Sequence, residues 1–227
     1  SVNAVLVPLF SALYILAMLF IILRNAEMFP EAVRRIFTEA FGFRAAAGGF
    51  SASLLSSALR IGVSKGIFSS EAGMGSSPIA HAAAEGTTPY RQGLWGVAEI
   101  VIDTFIVSTL TAFALLLTGH TEMDAVFRSA FGPAGSYILL AFLAVFAFAS
   151  ILSWVFYADG CIGFLFGTKK KAVSFVFRLL SVLFVFGGVF LSGEAVWAAA
   201  DIFNALMIFP NLFMLFIYRK EIKYGVL

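Results

Sequence analysis

Apolar stretches of membrane-spanning length dominate this sequence and limit what it can fold into. The clearest lie at residues 4–23, 93–117, 137–157, 173–191 and 196–217, and each is close to the roughly 20 residues that cross a bilayer as a helix. Hydrophobic residues make up 61% of the chain and charged residues 12%, with 27 phenylalanines. Because a soluble domain of this size does not need so many apolar side chains, the sequence predicts an all-α integral membrane protein.

A further span, the second along the chain, is predicted to be irregular, which makes about six transmembrane segments in all. Residues 41–50 are rich in glycine and alanine, and a helical run over 51–62 follows. Gly48 and Gly49 at a helix start would expose backbone groups, as the broken helices of inverted-repeat transporters do at their substrate sites. The alternative is a loop followed by an ordinary helix packed through small residues.

The least apolar part of the chain is the 66–82 segment, GIFSSEAGMGSSPIAHA. Glycine adopts backbone conformations closed to other residues, and proline prevents a helix from continuing. We therefore expect the chain to leave the helix here and to restart after residues 76–78, with a serine as N-cap and Pro78 near the first helical position. Small residues crowd Glu71, which predicts a buried or paired carboxylate. The segment is either a tight polar loop between membrane helices or a functional element.

Other kinds of chemistry find little support in the sequence. His81 has no second histidine or cysteine at metal-ligand spacing, so we interpret it as a helix-surface or packing residue. One cysteine, Cys161, permits no internal disulfide. The net charge of +2, without a long basic run, gives no reason to expect nucleic acid as a partner. No nucleophile stands beside a base in a recognisable pattern, so we do not expect an enzyme.

Two acidic residues, Glu99 and Asp103, lie within one predicted span. Their four-residue spacing places them on one face of an α-helix, and Thr104, Ser108 and Thr111 continue a polar stripe. An acidic group inside a membrane is costly and usually faces the interior of a bundle or a water-filled cavity. This stripe is either a cation pathway or gate, or a hydrogen-bond network between helices.

The 66–82 segment resembles the signature of the alanine or glycine:cation symporter family. The usual form is Gly-x-Phe-Ser-Asn-Glu-Ala-Gly-x-Gly-Ser-Ala-Pro, followed by an alanine-rich run with a histidine. Here Ser70 replaces the usual asparagine and Ser77 replaces the usual alanine. The last span is similar to the family's last core helix, since it carries Asp201 and Asn204 after a tryptophan and continues into Pro-Asn.

The FAFASILSW run at residues 146–154 also resembles the family, which usually has Phe-Ala-Phe-Ser-Thr and then a tryptophan. Ala149 occupies the serine position and Ser150 the threonine position. The resemblance implies that Ser150 and the backbone of Ala149 bind the cation, since sodium prefers oxygen ligands. It makes Trp154 a wall of the amino-acid pocket, with Gly48 and Gly49 as further substrate-binding residues. It assigns gating or structural roles to Ser70, Glu71, Gly73, Gly75, Ser76, Asp103, Thr104, Asp201 and Asn204.

The resemblance implies symport of alanine or glycine with Na+ by alternating access, with H+ as the alternative coupling ion and no other cofactor. It also implies a partial leucine-transporter-like fold in a single membrane domain over residues 1–227, made of the last helix of a first inverted repeat and the whole second repeat. No initiator methionine is present, so we expect the N-terminal half of the same transporter to be missing. A channel or a membrane-embedded accessory subunit is the alternative, although no selectivity-filter pattern is visible.

Basic residues predict the orientation of the chain in the cell membrane. Residues 169–171 and the C-terminal Arg219, Lys220 and Lys223 should lie in the cytoplasm, and the two spans between them agree with this. The 66–82 segment is then either cytoplasmic or at the cytoplasmic end of the second span. The stretch 31–41 has its apolar residues at helical spacing, which predicts a helix at the membrane surface.

Overall fold

The computed structural model describes residues 3–41, 49–167 and 170–220, and this part of the chain is all-helical. Its α-helices are α1 (Asn3–Arg24), α2 (Phe29–Phe41), α3 (Gly49–Ser70), α4 (Ser77–Ala82), α5 (Pro89–Ile100), α6 (Ser108–Thr118), α7 (Met123–Phe131), α8 (Ala134–Phe166), α9 (Lys170–Gly188) and α10 (Gly193–Ile217). A 3-10 helix, Ala26–Met28, precedes α2. A π-helix, Val101–Val107, joins α5 to α6.

Five helical stretches in the described residues are long and apolar enough to cross a membrane. They are Val5–Arg24, Pro89–Thr118, Ala134–Phe166, Lys171–Gly188 and Gly193–Ile217. All five spans predicted from apolar length are therefore confirmed. The predicted irregular span corresponds to α3, which is not among the five, because its 22 residues include Arg60, Lys65 and several serines.

The chain forms two compact units. The first comprises residues 1–63 and 102–150, and the second comprises residues 64–101 and 151–227. The first unit has an apolar core contributed by α1, α6, α7 and α8, with the buried side chains Met18, Ile21, Ala114, Val126, Phe127, Ala130, Leu139 and Phe142. A Cβ atom at Gly135, the second residue of α8, would clash with the carbonyl oxygen of Phe127 in α7, so only glycine fits at this position.

The second unit contains the end of α3, the 66–82 segment, α4, α5 and the C-terminal part of α8, followed by α9 and α10. Its helices contact one another through polar side chains, among them Lys65 with Asp201, and through apolar ones. An edge-to-face contact between the rings of Phe68 and Trp197, 5.4 Å apart, adds an apolar link between α3 and α10. Arg178 of α9 donates a hydrogen bond to the carboxylate of Asp159 in α8.

The helix ends in and after the 66–82 segment follow the expected pattern. The helical run predicted over residues 51–62 is longer, since α3 continues to Ser70. The chain then leaves the helix within the 66–82 segment, as expected, and restarts at Ser77. The alanine-rich helix α4 ends at Ala82, and a turn through Gly86 (φ +70°) follows it. Pro89 opens α5, and the Thr88 side chain accepts a hydrogen bond from the amide of Arg91 at 3.3 Å.

The helix predicted over residues 31–41 is present as α2, and its position at the membrane surface stays a prediction. Arg34 donates two hydrogen bonds of 2.8 Å to the carboxylate of Glu31, and Arg35 pairs with Glu39 at 3.4 Å. The hydrogen bond from Arg34, followed by the positive charges of Arg34 and Arg35, lowers the pKa of Glu31. The polar face of this helix is therefore neutralised internally, and its apolar face is left for other contacts.

Candidate functional site

The 66–82 segment folds into a tight turn between α3 and α4. Glu71 has φ +51°, the one positive value at a non-glycine position in the described chain, and Gly73 and Gly75 follow with φ +82° and +83°. The Ser76 hydroxyl donates a 2.7 Å hydrogen bond to the Glu71 carboxylate. Met74 and Ser76 are buried, with exposures of 2% and 1%. The Glu71 carboxylate is thus paired, as predicted, and α4 begins after Ser76 with Pro78 in its first turn.

Asn211 of α10 clamps this turn. Its Nδ2 atom donates a 3.0 Å hydrogen bond to the carbonyl oxygen of Gly73. A Cβ atom at Gly75 would lie 3.0 Å from both Cγ and Oδ1 of Asn211. Position 75 therefore requires glycine for two reasons. Its positive φ disfavours other residues, and a side chain there would press against Asn211. Seven residues earlier on α10, the buried Asn204 has an Nδ2 atom without a hydrogen-bond partner in the described part of the chain.

Asp201 of α10 is joined to the C-terminal end of α3. The Lys65 ammonium lies 3.0 and 3.3 Å from the two carboxylate oxygens, and the Ser64 hydroxyl donates a hydrogen bond of 2.9 Å. Lys65 Nζ also lies 4.1 Å from the ring centroid of Trp197, a distance that permits a cation–π interaction. Sequence reasoning proposed Asp201 but missed Lys65. The sequence did contain a signal for Lys65. It is a cation next to a predicted span, and charged residues in membranes usually pair with an opposite charge.

Asp103 and Thr104 lie in the π-helix Val101–Val107. The Ser108 hydroxyl donates a 3.0 Å hydrogen bond to the carbonyl oxygen of Asp103, five residues earlier. Thr104 Oγ1 is buried and has no hydrogen-bond partner within the described residues. The predicted polar stripe assumed α-helical spacing from Glu99 onward. The wider π turn changes that spacing locally, and the role of the stripe stays a prediction.

The predicted cation and substrate residues lie on two helices. Helix α8 is continuous from Ala134 to Phe166, so Ser150 and Trp154 share a face by their spacing. Ala149 is buried, Ser150 is exposed, and Trp154 is 37% exposed with its ring 5.7 Å from that of Tyr157. Gly49 is the first residue of α3. Gly48, and the helix break expected beside it, lie outside the described residues.

His81 of α4 packs against α5 and makes polar contacts with both ring nitrogens. Nδ1 lies 2.8 Å from Gln92 Oε1, and Nε2 lies 3.3 Å from Glu99 Oε2. Gly96 permits this approach, because a Cβ atom there would lie 3.3 Å from His81 Nε2. A cavity of about 590 Å³, lined by His81, Gln92 and Gly96 among others, lies between the two helices. Interpreting His81 as a packing residue was correct, but its pairing with Glu99 was missed.

The sodium:alanine symporter family matches residues 1–225, nearly the whole chain. The chain belongs to this family. The resemblance seen in the 66–82 segment is therefore confirmed, and with the five apolar helices it identifies a multi-pass membrane protein.

Several curated relatives are similar over the same region. An uncharacterized transporter of Haemophilus influenzae is 38% identical, over 98% of this chain and 50% of the relative. The sodium/alanine symporter AgcS of Methanococcus maripaludis is 36% identical, over 92% of this chain and 47% of the relative. The probable sodium/glutamine symporter GlnT of Bacillus subtilis is 34% identical, over 96% of this chain and 46% of the relative. The chain thus spans about half the length of the curated relatives it matches. No solved structure matches it.

Proposed function

We propose that the protein is a symporter that carries alanine or glycine with Na+ across the cytoplasmic membrane by alternating access, with its C-terminus in the cytoplasm. The observation that carries this proposal is the family match over residues 1–225. The name of one relative includes sodium and alanine and that of another sodium and glutamine, which favours a neutral amino acid as substrate.

The proposal includes a fold of two inverted five-helix repeats, to which this chain contributes the last helix of the first repeat and the whole second repeat. In such transporters one helical group rocks against another, so contacts between helices must break and re-form during the cycle. The Lys65–Asp201 pair between α3 and α10 is suited to a gating contact. Its side chains are 35% and 42% exposed, so water can solvate both charges when they part.

In the proposed site, Ser150 Oγ and the carbonyl oxygen of Ala149 supply oxygens to Na+. Trp154, one turn further along α8, forms the wall that limits the amino acid to a small side chain. The backbone of Gly48 and Gly49 contacts the substrate. Carbonyl oxygens in an α-helix already accept helical hydrogen bonds, so Ala149 can offer only its second lone pair. Ser150 is therefore the main ligand on this helix.

Uptake into proteoliposomes tests the proposed function. The whole protein, as its gene encodes it, is reconstituted and supplied with labelled alanine under an inward Na+ gradient. We expect accumulation that disappears when K+ replaces Na+ and that excess unlabelled glycine suppresses. A passive, gradient-independent flux of alanine would contradict symport and favour the channel. No flux under any gradient, with alanine binding also absent, would favour the accessory subunit.

A further inference from the structure

A cavity of about 310 Å³ lies between the C-terminal part of α8 and the start of α9, within the second compact unit. The residues that line it are Asp159, Lys171, Ser174, Phe175 and Arg178. Lys171, Ser174 and Arg178 follow one another at intervals of three and four residues, which places them on one face of α9. This face therefore presents two cations and a hydroxyl to the cavity.

The charges of the cavity favour an anion as its ligand. Arg178 donates a hydrogen bond to the Asp159 carboxylate, so these two charges balance each other. Lys171 adds a second cation, and two positive charges therefore face one negative charge. A guanidinium has five N–H groups, so the contact with Asp159 leaves Arg178 with donors for a further acceptor.

The Ser174 hydroxyl is a second, independent indication of a ligand. Ser174 is only 7% exposed, and its Oγ atom makes no hydrogen bond within the described residues. Ser181, further along the same helix, donates to the carbonyl oxygen of Phe177 at 2.9 Å. Buried polar groups are nearly always hydrogen-bonded, and a serine hydroxyl can turn between staggered rotamers. Ser174 can therefore donate to an acceptor that enters the cavity.

An exposed apolar stripe begins at the cavity and runs along α9. It consists of Phe175, Leu179, Val182 and Phe186, whose exposures lie between 53% and 70%. Their spacing keeps them on one face of the helix, beside the polar face. From residue 175 to residue 186 the helix rises about 16 Å, which is close to half of the roughly 30 Å hydrocarbon core of a bilayer. The stripe therefore matches a fatty acyl chain of one leaflet.

We propose that this cavity binds the phosphate of an anionic phospholipid, with an acyl chain of that lipid along the α9 stripe. Lys171 and Arg178 pair with the phosphate oxygens, and Ser174 donates a hydrogen bond to one of them. Basic pockets between membrane helices on the cytoplasmic side suit such headgroups, and the proposed orientation places the start of α9 on that side. A zwitterionic lipid fits less well, because its own cationic group would approach Lys171.

Lipid binding by the whole protein tests this site without any measurement of transport, so it can fail or succeed independently of the proposed symport. The purified, delipidated protein is titrated with phosphatidylglycerol, phosphatidylcholine or inorganic phosphate, and native mass spectrometry counts the bound molecules. We expect the first phosphatidylglycerol to bind severalfold more tightly than phosphatidylcholine. An excess of inorganic phosphate over the lipid should not displace it.

Three results of this titration would overturn the proposal. Equal affinity for the two lipids would show that the charge of the headgroup is not recognised. Displacement by inorganic phosphate would make the cavity a site for a free anion rather than for a lipid. No retention of phosphatidylglycerol would show that another part of the whole protein covers the cavity.

Two substitutions with matched controls locate the binding. Lys171→Gln, which alters an exposed side chain, and Ser174→Ala should each weaken phosphatidylglycerol binding severalfold. Lys220→Gln removes an exposed cation beyond α10, and Ser181→Ala removes a hydroxyl that already has an acceptor. Both controls should bind the lipid as the wild type does.

Thermal unfolding without lipid separates a binding effect from a folding effect. Ser174→Ala should not lower the melting temperature of the lipid-free protein, because it removes a buried hydroxyl that has no partner in the described chain. Unchanged lipid affinity in both cavity variants would overturn the proposal. An equal loss of affinity in Lys220→Gln would also overturn it, since the attraction would then be a general effect of positive charge.

Discussion

Single residues in the 66–82 segment act mainly through backbone geometry. A non-glycine residue in the left-handed region costs about 1–3 kcal/mol, and Glu71 occupies that region with φ +51°. Its hydrogen bond from Ser76 offsets part of this cost. Gly73 and Gly75 have nearly the same φ, +82° and +83°. Only Gly75 is also approached by Asn211. Comparing the two positions therefore distinguishes the cost of backbone strain from the cost of a steric contact.

Gly75→Ala should therefore destabilise the protein more than Gly73→Ala. Both substitutions place a Cβ atom at an unfavourable φ, which costs about 1–3 kcal/mol, but only the methyl group added at position 75 would press on Asn211. In an Asn211→Ala background the two substitutions should cost the same. Thermal unfolding in detergent, followed by tryptophan fluorescence, measures the difference. Gly62→Ala, in a helical position with open space around it, is the control and should not destabilise. Equal melting temperatures for Gly73→Ala and Gly75→Ala would contradict the clamp.

At the scale of elements, the sequence predicted those helices whose signal is local. The apolar runs of α1, α8, α9 and α10 were placed to within a few residues, apart from the longer ends of α8. Helix α7 was missed, because its nine residues are amphipathic and become buried only through tertiary packing. The π-helix Val101–Val107 was also missed, since one extra residue in a turn leaves no periodic trace over so short a stretch.

The same distinction applies to the candidate site. The turn at residues 71–76 was predictable because glycine, serine and proline carry local backbone information. The residues that this turn contacts on other helices were not predictable. Asn211 meets Gly73 across 138 residues of sequence, and Lys65 meets Asp201 across 136. Nothing in one sequence specifies which polar residues of distant helices will meet. Ser150 and Trp154 remain predictions, supported by their shared face on α8.

The contact between α3 and α10 yields a prediction about the gate. Asp201→Asn and Lys65→Gln each remove one charge from the ion pair, so each should slow alanine uptake severalfold by depopulating the conformation that the pair stabilises. The exchanged pair Lys65→Asp with Asp201→Lys should recover part of the rate. Uptake in proteoliposomes measures this, with Arg35→Gln as the control because it breaks the exposed pair with Glu39 on α2. Unchanged uptake in both single variants would show that the pair does not gate.

At the scale of the whole molecule, the two units differ in the forces that stabilise them. The first has an aromatic and aliphatic core centred on the fully buried Phe127. The described contacts of the second include exchangeable polar pairs, namely Lys65 with Asp201, Gly73 with Asn211 and His81 with Glu99. Tightly packed apolar cores resist deformation, whereas partly exposed polar pairs exchange readily with water. We therefore expect conformational changes during transport to rearrange contacts within the second unit.

In the proposed symport, sodium drives the whole cycle, so the final prediction concerns its site. Ser150→Ala removes the proposed side-chain ligand and should raise the Na+ concentration needed for half-maximal alanine uptake. Ala149→Ser adds the hydroxyl that the family usually has at this position and should lower it, because a hard cation gains an oxygen ligand. Ser181→Ala is the control, since that hydroxyl donates to the carbonyl of Phe177 on α9. Half-maximal Na+ concentrations equal to wild type in both α8 variants would move the cation site elsewhere, with Asp103 as the next candidate.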